Sequence, residues 1–227
     1  MEFLNSADFW IGLVKIVWIN IILSGDNAVV IALAARSLPP AQQKQAIMFG
    51  SGAAVVLRIV LTIVAAKLLE LSFLQVVGGC LLLWIGYQLL TGEEDGEGES
   101  KGHGSMFAAI RTILIADLVM SLDNVIAVAA TAQGNMVLLI MGLAISIPLV
   151  IFGSTLMIKL MERFPIIITL GAALIGWVGG ETIVNDNLLH GVAMAHPWLH
   201  YAAAAAGATL VVAVGKWMQT RQSHAIA

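Results

Sequence analysis

Charged residues are scarce in this chain: aspartate, glutamate, lysine and arginine make up 11% of its 227 residues, and 59% are hydrophobic. A soluble globular domain carries roughly a quarter charged residues, so this chain lacks the surface that water requires. Its apolar runs exceed the roughly 20 residues needed to cross the hydrocarbon core of a bilayer. The composition predicts a polytopic all-α membrane protein, because lipid requires that the backbone polar groups be satisfied internally.

Cysteine, basic clusters and nucleotide-binding motifs are also missing or rare. The single cysteine, Cys80, has no partner for an internal disulfide, and we interpret it as a small buried hydrophobe. No basic stripe is present, so we expect no nucleic-acid partner. The absence of a phosphate-binding loop argues against ATP-driven transport by this chain alone. Glu2 and Asp8 stand where a signal peptide would be basic, so we expect no cleavable leader.

The apolar runs predict seven transmembrane helices in a single domain covering residues 1–227. Leu38-Pro39-Pro40 is expected to end the first helix, since proline disfavours helix in the residue before it. An acidic, glycine-rich segment at 92–105 is predicted to be a linker. The predicted helices lie at approximately 9–36, 45–67, 72–91, 106–132, 136–158, 164–185 and 199–218.

Lysine and arginine are distributed unevenly between the two sets of helix ends, and this predicts the orientation of the chain. The set that includes the N-terminus holds only Lys67. Cytoplasmic ends carry the excess of lysine and arginine, so we place the N-terminus outside and the C-terminus and acidic linker in the cytoplasm. The other set holds Arg36, Lys44, Lys101, Arg111, Lys159, Arg163, Lys216 and Arg221.

A short polar motif occurs twice inside the apolar runs. Ser24-Gly25-Asp26-Asn27 returns 97 positions later as Ser121-Leu122-Asp123-Asn124, and at the same offset Asn20 corresponds to Asp117. After a loop five residues longer in the first half, Phe49-Gly50 corresponds to Met141-Gly142. Three helices per half is an odd number. We therefore predict two inverted three-helix repeats, at about 9–91 and 106–185, and an additional seventh helix.

The aspartates of this motif are the strongest candidates for a functional site. A carboxylate at the middle of a bilayer costs ~3 kcal/mol or more and is a functional candidate by default. Asp26, Asp117 and Asp123, with the amide oxygens of Asn27 and Asn124, form a set of hard oxygen ligands. Such a set suits Mn²⁺, Ca²⁺ or Mg²⁺ better than Zn²⁺ or Cu²⁺. Further candidates are Asn20, Ser24, Ser121 and Glu181.

Each of these residues also has a structural interpretation. Asparagine and serine often bridge membrane helices through hydrogen bonds, and Arg58 is a candidate ion-pair partner for Asp26. On unbroken helices Asn20, Ser24 and Asn27 share one face, as do Asp117, Ser121 and Asn124, whereas Asp26 and Asp123 point elsewhere. Either the carboxylates meet a different neighbour or the helices unwind at the motif. Gly25 favours unwinding in the first half, whereas Leu122 does not in the second.

The doubled motif, the upstream Asp117 and the layout of three plus three plus one helices resemble the TerC family of integral membrane proteins, in its YjbE-like branch. The resemblance covers roughly residues 8–218. It implies a multi-pass protein of the bacterial inner membrane, within the wider LysE-like transporter group, associated with Mn²⁺ efflux. It places the acidic motif positions of the family on Asp26, Asp117 and Asp123, with Asn27 and Asn124 beside them.

Together these observations predict a secondary exporter of a divalent cation, with Mn²⁺ as the transported substrate and no enzymatic activity. Two alternatives stay open: an intramembrane aspartyl protease, and an exporter of amino acids or of solutes linked to tellurium stress. The expected partners are the metal ion and the lipid bilayer, and a homo-oligomer is a further option. The outer-loop residues 185–187 with His190, His196 and His200 could collect metal, but we favour a solvated loop.

Overall fold

The computed structural model describes residues 7–68, 71, 73–92, 105–132 and 135–226. Over these residues the regular structure is entirely helical, as predicted. The parts of the chain that lie outside the described residues include almost all of the predicted linker, Glu70, and the side chain of Asp123. The helices are α1 (Ala7–Leu23), α2 (Gly25–Ala35), α3 (Pro40–Leu68), α4 (Leu74–Thr91), α5 (Met106–Ala132), α6 (Met136–Arg163), α7 (Ile166–Val184), α8 (His190–Ala195) and α9 (Trp198–Ile226).

Five of the described helices are long and apolar enough to cross a membrane, namely α3, α4, α6, α7 and α9. Counting the bent pair α1–α2 as one span brings the number to six. The structure therefore supports up to six of the seven predicted spans. Helix α5 has 27 residues and a length of about 40 Å at 1.5 Å per residue. That α5 is a seventh span, and that the halves are inverted repeats, both stay predictions.

Several helix boundaries differ from the predicted ones. The second helix was predicted to begin at 45, and α3 begins at Pro40, because proline at the first helical position loses no intrahelical hydrogen bond. The fifth helix was predicted to end at 158, and α6 ends at Arg163. The last helix was predicted at 199–218 and runs from Trp198 to Ile226. The short helix α8 was not predicted. Its six residues lie in the loop that we had interpreted as a solvated histidine-containing segment.

The first predicted helix is broken at Ser24, and α1 and α2 meet there at an angle of 51°. The backbone N–H of Ser24 donates to the carbonyl of Ile21 at 3.4 Å, so the regular bond to Asn20 is lost. A break leaves carbonyls at the end of one helix and N–H groups at the start of the next without partners. The sequence left unwinding as one of two options, and the structure shows the helix broken in the first half. In the second half α5 runs without interruption through Leu122.

Helix α2 is the most buried element, and it lies against α3, α5, α6 and α7. All residues from Val30 to Ala35 are buried, which is typical of a helix that is apolar on every side and enclosed by others. Helix α1 by contrast exposes Trp10, Val14 and Trp18 along its outer surface. The bend thus turns the second half of this span into the interior, and the polar motif lies where it turns.

A small-residue interface joins α9 to α7. A Cβ atom added to Gly180 would collide with the backbone carbonyl of Ala203, and one added to Gly176 would come within 2.6 Å of the carbonyl oxygen of Gly207. Small residues allow this close approach of backbones, which is a common way to pack helices in membranes. The last helix is therefore held by α7 and by α4, outside the part of the molecule that contains the polar motif.

Asp186, in the loop after α7, caps the start of α4. Its carboxylate accepts hydrogen bonds from the backbone N–H groups of Phe73 at 3.2 Å, Gln75 at 3.1 Å and Leu188 at 3.0 Å. Phe73 has a left-handed backbone with φ of 69°, which is strained for a residue with a side chain. Asp186 is buried. Our interpretation of this residue as part of a solvated loop was therefore wrong. The interpretation of Cys80 as a buried hydrophobe was also wrong, because this cysteine is exposed on α4.

Candidate functional site

Arg58 of α3 and Asp117 of α5 form a buried ion pair with a nitrogen–oxygen distance of 2.5 Å. Arg58 is 4% exposed and Asp117 is 6% exposed. We had considered Arg58 as a partner for Asp26, and the structure assigns it to Asp117 instead. An unpaired charge is very unfavourable in an apolar interior. Each member of this ion pair therefore makes the burial of the other possible.

The remaining donors of the Arg58 guanidinium bind the serines and the asparagine of the repeated motif. Nε donates to Ser121 Oγ at 3.0 Å, and Nη1 donates to Asn20 Oδ1 at 2.9 Å and to Ser24 Oγ at 3.4 Å. Asn20 and Ser24 belong to the first half of the chain, and Asp117 and Ser121 stand at the corresponding positions of the second half. One guanidinium therefore joins both copies of the motif.

Helical spacing explains why these acceptors converge. Asp117 and Ser121 are four residues apart on α5, and the hydroxyl of Ser121 donates to Asp117 Oδ2 at 3.2 Å. Asn20 and Ser24 are also four residues apart, and the hydroxyl of Ser24 donates to Asn20 Oδ1 at 3.1 Å. Residues at this spacing lie on the same face of a helix, one above the other. The two faces point at each other across Arg58.

Asn20 extends the network to α6. Its amide Nδ2 donates to Ser146 Oγ at 2.7 Å, and Ser146 in turn donates to the carbonyl of Leu143 at 2.6 Å. Because an arginine only donates, Asn20 must present its oxygen to Arg58 and its nitrogen to Ser146. We call this group of hydrogen-bonded side chains the polar centre. It connects α1, α3, α5 and α6, and its members are Asn20, Ser24, Arg58, Asp117, Ser121 and Ser146.

A small cavity of about 20 Å³ lies next to the ion pair. Both polar atoms of the Asn27 side chain and the hydroxyl of Ser51 are buried and, within the described part of the chain, have no hydrogen-bond partner. The volume is about that of one water-sized sphere. Buried polar groups are seldom left unpaired, so these atoms require an explanation. The polar residues around the cavity are Asn27, Ser51, Arg58, Asp117 and Ser146.

The other predicted site residues occupy three different surroundings. Asp26 is half-buried at the start of α2, where its Oδ1 accepts the backbone N–H of Asn27 at 2.8 Å. Arg58 and Asp117 both interact with its carboxylate electrostatically. Asn124 donates to the carbonyl of Leu23 at 3.4 Å, so it satisfies the broken end of α1. Glu181 is exposed on α7 and, among the described contacts, takes no part in this centre.

The predicted cluster of three carboxylates is not seen in the side chains that the structure describes, which hold no group of three or more aspartate, glutamate, histidine or cysteine residues around a common point. Asp123 lies in α5, and its side chain is outside the described set. Among the residues that the structure does describe, Asn20, Ser24, Asp117 and Ser121 come together, Asn27 borders the adjoining cavity, and Asp26 lies at its helix start.

Sequence reasoning did not assign Arg58 to Asp117, nor did it identify Ser51 or Ser146. Arg58 is the one charged residue in the apolar run from Ala53 to Ala66, a signal as strong as the one that identified the aspartates. Serines within apolar helices are too common to be assigned a role from sequence. Which helices lie beside the motif is a tertiary property, and α3 and α6 supply the missing residues.

This fold and this polar centre define a multi-pass integral membrane protein in which several helices enclose a charged interior site. Residues 5–223 match the model of the integral membrane protein TerC family. The chain belongs to that family, which confirms the resemblance carried by the paired motifs.

Several known proteins are similar in sequence to most of this chain. Membrane protein YjbE of Bacillus subtilis (strain 168) is 49% identical over 182 residues, which cover 80% of this chain and 83% of that protein. Membrane protein YkoY of the same organism is 26% identical, with coverage of 80% and 65%. Inner membrane protein YoaE of Escherichia coli (strain K12) is 26% identical over 84% of this chain but only 40% of its own length. No solved structure matches.

Proposed function

We propose that this chain is a secondary transporter that exports a divalent metal cation, with Mn²⁺ as the first candidate, through the cavity beside Asp117. The observation that carries the proposal is the cavity itself, because Asn27 and Ser51 direct unpartnered polar atoms into a buried space next to a carboxylate. Carboxylate, amide and hydroxyl oxygens are the ligands that Mn²⁺ and other hard cations prefer.

The size of the cavity supports an ion over the larger alternatives. A space of about 20 Å³ accommodates one ion or one water molecule, and an amino acid would not fit in this conformation. The protease alternative needs Asp26 and Asp123 as an acid–base pair. Asp26 is half-buried at the start of α2, and the side chain of Asp123 lies outside the described residues, so the structure adds no support for this alternative.

The packing of the helices supports an alternating-access mechanism. Helix α3 lies against α5, and α1 and α2 lie against α6, so the second helix of each predicted repeat packs on the first helix of the other. Inverted repeats that interlock around a central site are typical of secondary transporters, as are broken helices at the site.

Flux measurements on the purified chain in liposomes would test the proposal. Mn²⁺ entry is followed with an enclosed metal-sensitive dye, and each of the amino acids is offered in parallel. We expect Mn²⁺ flux from the wild type and at least tenfold less from Asp117→Asn and Asn27→Ala. Thr209→Val, on the exposed side of α9, is the matched control and should transport normally. Undiminished flux in both site variants, or flux of amino acids alone, would overturn the proposal.

A further inference from the structure

The Arg58 guanidinium binds several of the oxygens that are candidate ligands for a cation. Four of the candidate oxygen-bearing residues, Asn20, Ser24, Asp117 and Ser121, direct their oxygens at it. None of these oxygens can coordinate a metal ion through the lone pair that already accepts an N–H group. These oxygens can therefore bind either the guanidinium or a cation, but they cannot make their full set of contacts with both at the same time.

The charges make the competition stronger. Asp117 is the one carboxylate with a salt-bridge partner among the described residues, and that partner is Arg58. A divalent ion in the adjoining cavity would lie beside the guanidinium, since Arg58 and Asp117 both line it. Like charges repel strongly where water is excluded. An ion that binds Asp117 must therefore draw the carboxylate away from Arg58.

We infer that Arg58 is a tethered counter-cation that the transported ion displaces from Asp117 and that expels the ion when it returns. This inference rests on the proposed function and adds a specificity-determining residue to it. While the guanidinium binds Asp117 the pair carries no net charge, so the helices can change conformation without leaving this carboxylate unpaired. Arginine suits this role because it stays protonated and its planar fork reaches several acceptors at once.

The inference predicts that affinity and transport change in opposite directions when the competitor is removed. Equilibrium binding of Mn²⁺ to the purified protein is measured from the paramagnetic resonance signal of free Mn²⁺, and flux is measured in liposomes. We expect Arg58→Gln to bind Mn²⁺ at least tenfold more tightly and to transport it at least tenfold more slowly. Arg58→Lys, which keeps the charge, should lie between the two. A purely structural arginine would lower binding and flux together.

A second measurement observes Arg58 in the wild type and uses the charge-conserving variant Arg58→Lys to assign the band. Isotope-labelled arginine is followed by infrared difference spectroscopy as Mn²⁺ is added to the intact protein. We expect a shift of a guanidinium band that is absent in Arg58→Lys. Mn²⁺ binding without such a shift, or a folded Arg58→Gln protein with unchanged or weaker affinity, would overturn this inference and leave the proposed function standing. A wild type that moves no divalent cation would instead overturn both.

Discussion

Asn20 of α1 and Asp117 of α5 hold the same guanidinium: Arg58 donates through Nη1 to the amide oxygen of Asn20 and through Nη2 to the carboxylate of Asp117. The two acceptors stand at corresponding positions of the repeated motif. One is neutral and the other is charged, so the centre contains one negative and one positive group. This asymmetry makes a buried charge pair out of two similar halves, and the predictions below follow from it.

Breaking the ion pair from one side should be much more costly than removing it entirely. Asp117→Ala leaves a buried guanidinium without compensation, and we expect a loss of about 3–5 kcal/mol in the free energy of unfolding. The double variant Arg58→Met with Asp117→Leu removes both charges and should be more stable than Asp117→Ala, because only the neutral groups of Asn20, Ser24 and Ser121 then lose a partner. Thermal unfolding in detergent measures both. A double variant that is less stable than Asp117→Ala would contradict this account.

Asn20 and Asn27 should separate stability from transport. Asn20 accepts from Arg58 and Ser24 and donates to Ser146, so Asn20→Ala leaves several buried groups unpaired and should cost about 1–3 kcal/mol. The side-chain amide of Asn27 has no hydrogen-bond partner in the described part of the chain. Asn27→Ala should therefore melt close to the wild-type temperature while its Mn²⁺ flux falls. A large fall in melting temperature for Asn27→Ala would show that the residue is structural.

Asp186 should make the stability of the protein depend on acidity. Burial by itself raises the pKa of its carboxyl, but the backbone N–H groups of Leu188, Phe73, Val76 and Gln75 together lower the pKa below its ordinary value. A pKa lower in the folded state than in the unfolded state stabilises the protein above the unfolded value of about 4, and this contribution is lost as pH falls through the folded value.

Measurements of unfolding between pH 3 and pH 7 test this contribution of Asp186 to stability. Asp186→Asn should be less stable than the wild type by about 1–2 kcal/mol at neutral pH, and the difference should shrink in acid. Glu181→Gln alters an exposed carboxylate near the same end of α7 and serves as the matched control, with an unchanged profile expected. A difference between Asp186→Asn and the wild type that is the same at every pH would exclude a contribution from the charge.

The contact between α7 and α9 should tolerate no added methyl group. Gly180→Ala would place a Cβ atom against the carbonyl of Ala203 and should destabilise the protein by about 1–3 kcal/mol. Gly52→Ala on α3 is the control, because a Cβ atom there meets nothing within 4 Å. It should be neutral or slightly stabilising. Thermal unfolding distinguishes the two, and equal behaviour of the variants would mean that the helices separate easily.

Gly25 should be replaceable by alanine even though it follows the helix break. A Cβ atom at this position would meet nothing within 4 Å, and its φ does not lie in the left-handed region. Gly25→Ala should therefore keep the stability and the flux of the wild type. Gly142→Ala, where the added atom would collide with Ile16, is the contrasting variant and should lose stability. Loss of flux in Gly25→Ala alone would indicate that the break must flex during transport.

Some residues of the polar centre could be identified from the sequence, because a charged residue in an apolar run is difficult to explain by packing alone. Asp117, Asn20, Ser24 and Ser121 were found from the repeat and their helical spacing, and the structure brings their side chains together. The break at Ser24 was one of two options, and Gly25 favoured it. The structure shows that neither free space nor φ at Gly25 requires glycine there.

The sequence by itself determined the helical class, the apolar surface and the polar motif, because composition and helical period are local properties. Only the tertiary structure decided which groups meet that motif. Arg58, Ser51 and Ser146 come from α3 and α6, far away in the chain, and Asp186 reaches α4 from the loop after α7. Contacts of this kind depend on which helices are neighbours, and a buried charge takes whichever partner those neighbours present. For Asp117 that partner is Arg58.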